Sequence, residues 1–479
     1  MMNEDFIFTI SGIRGIPGKN LSYETIKKIG LAYGIWLDGK EVMIGRDTRP
    51  SSVKVQSNIV SGLIEAGCDI IDLEICPTPI VIYTKNKESI PGGIIVTGSH
   101  NPPEWNGIKL LSDYTFMNKE EINDMQQILE KIHLEARDIN KAVSFDQQYK
   151  NKEAISSYVN DLLSIIKFDG IKNKNHICIG YDSGAGAGKF VVPDLLKKLG
   201  CQISLINNDF DETGRFPRII EPIQANLTDL MNEIKDNNLD IGFAQDCDAD
   251  RLAMIGDGGE YYSEDVSLAL ILQYYAQEMA KTNREIIFVT NLASSLMFDT
   301  IISKYNGKIL RTPVGEYYLA KSMFDLMKGG HDKNSNSFVF GGEGSCGGVI
   351  VPHFNNTRDG IFAAVKIIEI LLERQERIST LVAKLPKFSA VREYIPIGNA
   401  NVKLVIKDLK DELINEGYDV QQIDFDLRFG QDNDWFVLVH PSNTEPIFRI
   451  ISEAKEKSNA QKNLQLTSDL LKLQLNAKS

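Results

Sequence analysis

Three segments of this chain share one pattern: a strand-like apolar run, a polar turn, an amphipathic helix and a second strand-like run. The three copies occupy Val42 to Leu73, Ile177 to Ile206 and, more weakly, Ile286 to Leu310. Their turns lie at Gly45 to Pro50, Asp182 to Gly186 and Asn291, and their helices end at Gly67, Gly200 and Gly307. The repeat predicts three α/β domains of related build, each with a largely parallel or mixed sheet.

The last hundred residues follow a different pattern, which predicts a smaller α+β domain. Its predicted strands are Val402 to Ile406, Phe425 to Phe429 and Trp435 to Val439, and a closing helix is predicted from about Asn459 onward. At about 150 residues per domain, a chain of 479 residues suggests three or four domains. We place the four domains at residues 1–148, 149–257, 258–384 and 385–479.

Composition and charge exclude several classes of protein. The formal net charge of −13 argues against nucleic acid or an anionic membrane as a partner, because no basic excess is present to neutralise a polymer of phosphates. The six cysteines lack CxxC spacing, which argues against a disulfide framework and a thiolate zinc site. The first ten residues lack a basic segment followed by an apolar one, and no apolar run reaches membrane-spanning length, so we expect a cytoplasmic protein.

The stretch from Thr97 to Lys109 carries a serine at the end of a predicted strand, Gly92 to Val96. Open α/β sheets bind their ligands at the carboxyl ends of their strands. Small residues around Ser99 leave room for a phosphate, and His100 and Lys109 can supply positive charge or transfer a proton. Without other context, a polar turn that ends at a proline is the simpler interpretation.

The stretch from Asp246 to Arg251 places carboxylates at alternate positions after the predicted strand Asp240 to Ala244. Three such groups, Asp246, Asp248 and Asp250, repel one another unless a hard cation neutralises them. Oxygen ligands suit Mg²⁺ better than Zn²⁺, and a phosphate on Ser99 could supply a further ligand. A solvated acidic turn is the alternative. An EF-hand loop is excluded because its sixth position holds arginine rather than glycine.

Two further stretches are weaker signals of ligand binding. Gly341 to Gly348 follows the predicted strand Ser337 to Phe340, and its Glu343 and Ser345 can bind sugar hydroxyls where glycines let the backbone approach. Pro441 to Arg449 combines hydroxyls, an amide, backbone N–H groups and an arginine, which suits a phosphate. A plain glycine-rich turn and a serine-threonine cap before a strand are the respective alternatives.

In this order and spacing, the four stretches resemble the loops of the α-D-phosphohexomutase superfamily, and the resemblance spans nearly the whole chain. Those enzymes have a TGSHNP-like serine loop, a DGDADR-like metal loop, a GExS-like sugar loop and an SNTEP-like or SGTEP-like phosphate loop, one per domain. The resemblance implies three similar α/β domains with mixed sheets and a smaller α+β C-terminal domain around a central cleft. It also implies interconversion of hexose 6-phosphate and hexose 1-phosphate through a phosphoserine and a bisphosphorylated sugar.

The resemblance also implies a role for each matching residue. Ser99 would be the phosphorylated serine, with further catalytic residues at His100, Lys109 and Arg14, the last in Ser11 to Gly15. The metal ligands would be Ser99, Asp246, Asp248 and Asp250. The substrate would be bound by Arg251, Glu343, Ser345, Ser442, Asn443, Thr444 and Arg449. Implied cofactors are Mg²⁺, the phosphoserine and a sugar bisphosphate as activator; the partner is a small sugar phosphate, and the chain is a monomer or a homodimer.

Departures from the family pattern bear on the sugar. Cys247 replaces a usual glycine or proline, His440 a frequent arginine, and Gly347 the histidine of the GExSGH form. Thr312 to Glu316 resembles the VGD element of phosphoglucosamine mutases, whereas SNTEP is frequent in sequences like phosphomannomutases. The resemblance therefore favours phosphoglucosamine mutase, with phosphomannomutase/phosphoglucomutase as the alternative.

Three questions stay open at this point. The residues do not rank Lys109 against His100 as the base that accepts the sugar proton. A sugar phosphatase would use the same serine, metal and water. A non-catalytic sugar-phosphate sensor is disfavoured because Ser99 and all three aspartates are present.

Overall fold

The computed structural model describes residues 7–10, 12–113, 115–132, 147–167, 177–331, 335–344, 348–442 and 446–478. The chain forms two compact units, Met1–Ser267 with Cys346–Leu381 and Leu268–Ser345 with Val382–Ser479. Within the described ranges, no helix is both long and apolar enough to cross a membrane.

Twenty strands and fourteen helices lie within these residues, and we number them in chain order. The strands are β1 Ile7–Thr9, β2 Gly12–Gly15, β3 Val42–Arg46, β4 Ile70–Ile75, β5 Gly92–Val96, β6 Asn106–Leu111, β7 Cys178–Asp182, β8 Gln202–Ile206, β9 Ile241–Ala244, β10 Ala253–Ile255, β11 Tyr261–Tyr262, β12 Glu285–Asn291, β13 Gly307–Thr312, β14 Ser337–Glu343, β15 Gly348–Ile350, β16 Ser389–Pro396, β17 Val420–Ile423, β18 Asp426–Gln431, β19 Trp435–Pro441 and β20 Ile447–Ala454. The helices are α1 Tyr23–Trp36, α2 Ser52–Glu65, α3 Thr78–Lys87, α4 Lys119–Lys131, α5 Gln147–Ser164, α6 Val192–Lys198, α7 Thr228–Asp236, α8 Glu264–Lys281, α9 Met297–Ile302, α10 Glu316–Lys328, α11 Gly360–Arg374, α12 Ile378–Ala383, α13 Val402–Asn415 and α14 Lys457–Lys478.

The first unit contains a six-stranded mixed sheet in the order β1-β2-β6-β5-β3-β4. Strand β3 is parallel to β4 and β5, and helices α2 and α3 supply the crossovers that parallel neighbours need. Helices α1 and α2 pack closely at Gly30 and Gly62, where an added Cβ would lie 2.3 Å from Ile59 O and 2.1 Å from Lys27 O. The first predicted repeat is confirmed, and β5 ends three residues before Ser99.

The same unit contains a second mixed sheet, in the order β11-β10-β9-β7-β8. Strand β7 is parallel to β8 and β9, and β9 and β10 are antiparallel. All four residues of β9 are buried, which explains its uninterrupted apolar sequence. The second predicted repeat is confirmed. The stretch from Asp246 to Arg251, which we call the acidic loop, begins two residues after β9.

In the second unit, β12 lies between β13 and β14 and is parallel to both. This arrangement confirms the third repeat. The predicted helix end at Gly307 is wrong, because α9 already ends at Ile302 and Gly307 opens β13. An added Cβ at Gly307 would lie 2.5 Å from the Ile286 side chain, so this glycine serves close strand packing.

The C-terminal part of the second unit has an antiparallel sheet in the order β16-β20-β19-β18-β17. The predicted strands near Phe425 and Trp435 and the closing helix are confirmed as β18, β19 and α14. The predicted strand Val402 to Ile406 is wrong, because this segment begins helix α13. Asn401 caps that helix by accepting from Leu404 N, and its buried residues recur at helical spacing, namely Val405, Ile406, Leu409 and Leu413.

The predicted fold class, three similar α/β domains with mixed sheets and a smaller α+β C-terminal domain, is confirmed by these sheets and helices. The four domain boundaries stay predictions.

Candidate active site

The stretch from Thr97 to Lys109, which we call the serine loop, meets the acidic loop in the first unit. The hydroxyl of Ser99 donates a hydrogen bond of 2.7 Å to Asp246 Oδ2, and both residues are buried. Ser99 has a φ of +48°, a left-handed conformation that non-glycine residues adopt only when their surroundings impose it. The serine side chain therefore points at the carboxylates from a constrained loop.

The three aspartates of the acidic loop are buried and face one another. Carboxylate oxygens of Asp246, Asp248 and Asp250 lie within 4.8 Å of one another. In each aspartate, Oδ1 is buried and has no hydrogen-bond donor among the residues that the structure describes. Three buried carboxylates in one cluster, each with an unsatisfied oxygen, are costly without a cation, so this cluster can hold a metal ion, and its all-oxygen chemistry fits Mg²⁺.

Burial and charge act differently on two of these aspartates. Burial, followed by the charges of Asp250 and Asp248, raises the pKa of Asp246 to about 8. Burial also opposes ionisation of Asp250, but Arg358, Lys109 and Arg251 outweigh it and lower the pKa of that carboxyl. The pocket is thus polarised, with the cations concentrated at Asp250.

Three side chains from other elements hold the aspartates in place. Lys109, on β6, donates to Asp248 Oδ2 at 2.8 Å and to Asp250 Oδ2 at 3.2 Å. Thr78, the first residue of α3, donates to Asp248 Oδ2 at 2.6 Å. Arg358, which lies before α11, donates to Asp250 Oδ2 at 2.7 Å. These contacts occupy the Oδ2 atoms of Asp248 and Asp250 and leave their Oδ1 atoms available to a ligand.

Cationic side chains also lie beside the serine loop. His100 Nδ1 lies 3.5 Å from Ser99 Oγ, and Arg251 Nε lies 3.7 Å from Asp246 Oδ2. The charge of Arg251, burial, and the charges of Arg14 and Arg358 lower the pKa of His100 to about 2, so its imidazole is neutral near neutral pH. Arg14 donates to Thr97 O, two residues before the serine. An anion at Ser99 would thus find a cationic environment.

The remaining predicted residues belong to the second unit. Glu343 ends β14, is 4% exposed, and accepts from Asn291 Nδ2 at 2.9 Å. Arg449 lies on β20, and Ser442 directly follows β19. His440 lies opposite Arg449 in the β19–β20 pairing and contacts Asp426. The other three, Ser345, Asn443 and Thr444, lie outside the described residues.

The structure thus brings together the predicted serine, aspartates, lysine, histidine and two arginines of the first unit. Sequence reasoning missed Thr78 and Arg358. Thr78 stands between two prolines before a helix, and Arg358 stands before an aspartate-glycine pair at a helix start. Those patterns predict helix starts but do not reveal the contact with an acidic loop.

Comparison with known proteins places these features in a family. Residues 5–137, 156–259 and 263–388 match phosphoglucomutase/phosphomannomutase, alpha/beta/alpha domains I, II and III respectively. A phosphoglucomutase/phosphomannomutase of Thermococcus kodakarensis is 33% identical over 472 residues, which cover 97% of this chain and 98% of that one. A probable phosphoglucosamine mutase of Pyrococcus abyssi is 32% identical over 466 residues, 97% of each chain.

Solved structures agree with the fold. A phosphoglucomutase/phosphomannomutase family protein of Burkholderia thailandensis has a TM-score of 0.80 and 25% identity, over 98% of this chain and 96% of that one. A more distant N-acetylphosphoglucosamine mutase of Aspergillus fumigatus, solved with GlcNAc-6P and magnesium, has a TM-score of 0.53 and 12% identity, over 95% of this chain and 99% of that one. At that identity, the second likeness supports the fold alone.

Proposed function

This chain belongs to the α-D-phosphohexomutase superfamily, and we propose that it carries out phosphoryl transfer through the hydroxyl of Ser99. It is a phosphohexomutase, an enzyme that moves a phosphoryl group within one sugar phosphate. The observation that carries the proposal is the 2.7 Å contact between Ser99 Oγ and Asp246 Oδ2, which joins the serine loop to the acidic loop.

The proposed reaction consists of two transfers in opposite directions. In the first, a free hydroxyl of a hexose monophosphate attacks the phosphoryl group on Ser99; a sugar O–P bond forms, the Oγ–P bond breaks, and the hydroxyl proton passes to a base. In the second, Ser99 Oγ takes back the phosphoryl group from the other end of the bisphosphorylated sugar; the Oγ–P bond forms, the sugar O–P bond at that end breaks, and the base returns its proton to the released sugar oxygen. A sugar bisphosphate would also restore a phosphate lost to water, which makes it the proposed activator.

Asp246, Asp248 and Asp250, together with an oxygen carried on Ser99, would hold Mg²⁺. When bound, Mg²⁺ supplies positive charge that offsets the charge on the transferring phosphoryl oxygens. Arg251 and Arg14 would add further positive charge near Ser99. The unsatisfied Oδ1 atoms of the three aspartates support this assignment.

The two candidate bases, His100 and Lys109, have different electrostatic surroundings. His100, with its pKa lowered to about 2 by Arg251, burial, Arg14 and Arg358, holds a proton too weakly to accept one from a sugar hydroxyl near neutral pH. We propose Lys109 as the proton acceptor, a role that requires its amine to be neutral when the sugar hydroxyl attacks, and His100 as a neutral contact beside the serine.

The family resemblance also implies ligands for the sugar and its second phosphate. Glu343 is our proposed ligand of the sugar hydroxyls, and its carboxylate accepts a hydrogen bond from Asn291. Arg449 would bind the phosphate that does not react. By the same resemblance, the sugar and this phosphate would also contact Ser345, Ser442, Asn443 and Thr444.

We propose glucosamine phosphate as the preferred substrate, and mannose and glucose phosphates as the alternatives. The Thr312 to Glu316 element and a 32% identical probable phosphoglucosamine mutase support this preference. A 33% identical phosphoglucomutase/phosphomannomutase supports the alternative. Turnover of the three hexose phosphates, each with a trace of its bisphosphate, decides between them.

Replacement of the serine tests the proposal. We expect Ser99→Ala to lose the phosphate seen by intact-mass measurement of the wild type, and to lower mutase turnover by at least about 10³-fold, because the covalent route is removed. Ser112→Ala, at a buried serine after β6, is the matched control and should keep both properties. Wild-type turnover in Ser99→Ala, or wild-type enzyme that never carries phosphate, would contradict the proposal. Phosphate release that outpaces isomerisation would instead identify a phosphatase.

A further inference from the structure

Each of the three repeats has an aspartate or asparagine at the same place, the end of its first strand. These residues are Asp47 after β3, Asp182 at the end of β7 and Asn291 at the end of β12. In each repeat, a parallel neighbour of that strand leads into one of the predicted loops: β5 into the serine loop, β9 into the acidic loop and β14 into the sugar loop. The strand-end residue is thus placed beside the loop.

In the first repeat, the carboxylate of Asp47 holds the start of the serine loop. It is 1% exposed and accepts from Thr97 Oγ1 at 2.7 Å and from Gly98 N at 3.2 Å, both on Oδ2. The same oxygen lies 3.2 Å from Arg49 Nε, and this ion pair is fully buried. Asp47 thus joins an arginine to the two residues that precede Ser99.

Arg49 holds the rest of the loop through its guanidinium. The group is 1% exposed, and it donates to four backbone carbonyls between 2.7 and 3.1 Å away, those of Ser99, Asn101, Pro102 and Trp105. A Cβ at Gly98 would lie 2.6 Å from Arg49 Cζ, so the loop lies directly against the guanidinium plane. Only a planar fork with several donors can reach four carbonyls at once, and lysine cannot reproduce it.

The second repeat has an equivalent pair beside the acidic loop. Arg218 Nε lies 2.9 Å from Asp182 Oδ1, and its Nη2 donates to Gln245 O at 2.8 Å. Gln245 directly precedes Asp246, the partner of the Ser99 hydroxyl. Asp182 O also accepts from Gln245 N at 3.1 Å, so both polar backbone groups of that residue are held.

We propose that the pairs Asp47–Arg49 and Asp182–Arg218 are positioning pairs, one for the serine loop and one for the acidic loop. Together they set the distance between Ser99 Oγ and Asp246 while touching neither the phosphoryl group nor the metal. The proposal rests on the proposed function of Ser99. It explains why Ser99 keeps a left-handed backbone conformation: the carbonyl of Ser99 and three carbonyls after it are fixed to one guanidinium.

The test compares Arg49→Lys, Arg49→Met and Arg218→Met with a matched control, Arg46→Met. Arg46 lies on the same turn as Arg49, but its Nη1 donates to Gln56 Oε1 at 3.0 Å rather than to the serine loop. We expect the Arg49 and Arg218 variants to have a kcat about 10- to 100-fold below that of the control. Each substitution should displace Ser99 or Asp246 slightly, and small displacements of reacting groups lower rates by such factors. KM for the hexose phosphate should stay within about threefold, because no substrate ligand is removed. Circular dichroism and thermal midpoints identify the folded variants.

If Arg49→Met does not fold, Arg49→Lys still tests the proposal, because lysine retains the positive charge but cannot reach four carbonyls. The double variant Arg49→Lys with Arg218→Met should lose less than the product of the two single losses, because both pairs act on one distance. A folded Arg49→Lys with kcat within twofold of the control, or a change in KM alone, would overturn the inference. Failure of the proposed function looks different: wild type would carry no phosphate, and Ser99→Ala would stay active.

Discussion

At the scale of single residues, Asp248 receives hydrogen bonds from two side chains on different elements. Lys109 Nζ lies 2.8 Å from Asp248 Oδ2, and Thr78 Oγ1 lies 2.6 Å from the same oxygen. Thr78 also donates its backbone N–H to Asp248 O at 3.0 Å. With Oδ2 occupied twice, the orientation of Oδ1 is determined before any cation arrives.

Removal of one of these partners should weaken metal binding. We expect Thr78→Val to raise the Mg²⁺ concentration for half-maximal activity by about tenfold or more, the usual range for an outer-shell partner. Mutase turnover measured across a Mg²⁺ titration checks this. Thr84→Val is the matched control, because Thr84 is buried on the same helix and its hydroxyl makes no hydrogen bond to the described residues. Identical Mg²⁺ dependence in the two variants would contradict the prediction.

The sequence predicted the residues that form dense local patterns but not those that act across the fold. Ser99 and the three aspartates lie in short stretches whose residue types and spacing indicate their chemistry. Thr78 and Arg358 act on the acidic loop only because α3 and α11 begin beside it. A threonine or arginine at a helix start is common in any protein, so its type carries no signal of that contact.

At the scale of elements, the start of α11 joins α5 to the acidic loop. Asp359 caps α11 by accepting from Phe362 N at 2.9 Å, and Tyr158 Oη on α5 lies 2.8 Å from both of its oxygens, which share the single hydroxyl proton. Arg358, the preceding residue, donates to Asp250. Burial raises the pKa of Asp359 from an ordinary value of 3.8 to about 6, because its hydrogen bonds only partly compensate for lost water.

This buried carboxyl should make stability depend on pH in a defined direction. Since the folded pKa is the higher one, the folded state binds the proton more tightly, and stability is lost as pH rises from about 4 through 6. Relative to Asp359→Asn, the free energy of unfolding of wild type should fall by up to about 3 kcal/mol over this range. Denaturant unfolding of both proteins at each pH measures this difference. Asp229→Asn, at an exposed aspartate in the first turn of α7, is the control and should run parallel to wild type.

Two pH curves that stay parallel for wild type and Asp359→Asn would contradict this account of α11. An excess stability of wild type that grows toward pH 7 would contradict it as well, since it would indicate a folded pKa below the ordinary value.

Most elements followed from periodicity, and the exceptions have physical causes. The three repeats were predictable because buried parallel strands give uninterrupted apolar runs and their helices give a 3.6-residue period. Val402 to Ile406 is also apolar, but its pattern continues to Leu413 with helical spacing, so a short window misassigns it. Gly307 resembles a helix end because glycine ends many helices, although its actual role is close strand packing.

At the scale of the whole molecule, this acidic chain has a local concentration of cationic side chains around Ser99 and the three aspartates. The net charge is −13, yet four cations from separate stretches of the first unit lie near Ser99 or the aspartates, namely Arg14, Lys109, Arg251 and Arg358. Because the net charge argues against a polymer of phosphates as a partner, we expect any bound phosphate to be small and held by local groups. The identity of those groups depends on the packing of two sheets and several loops, which no local pattern contains.

The most direct measurement follows a labelled phosphate from the serine. Enzyme labelled with ³²P at Ser99 and freed of its donor is mixed with unlabelled hexose 6-phosphate and Mg²⁺, then quenched at successive times. We predict that the label leaves the protein at a rate no slower than mutase turnover, and that it appears first in a hexose bisphosphate and then in hexose monophosphate. Label that stays on the protein while the sugar isomerises, or that leaves only as inorganic phosphate, would contradict phosphoryl transfer through Ser99.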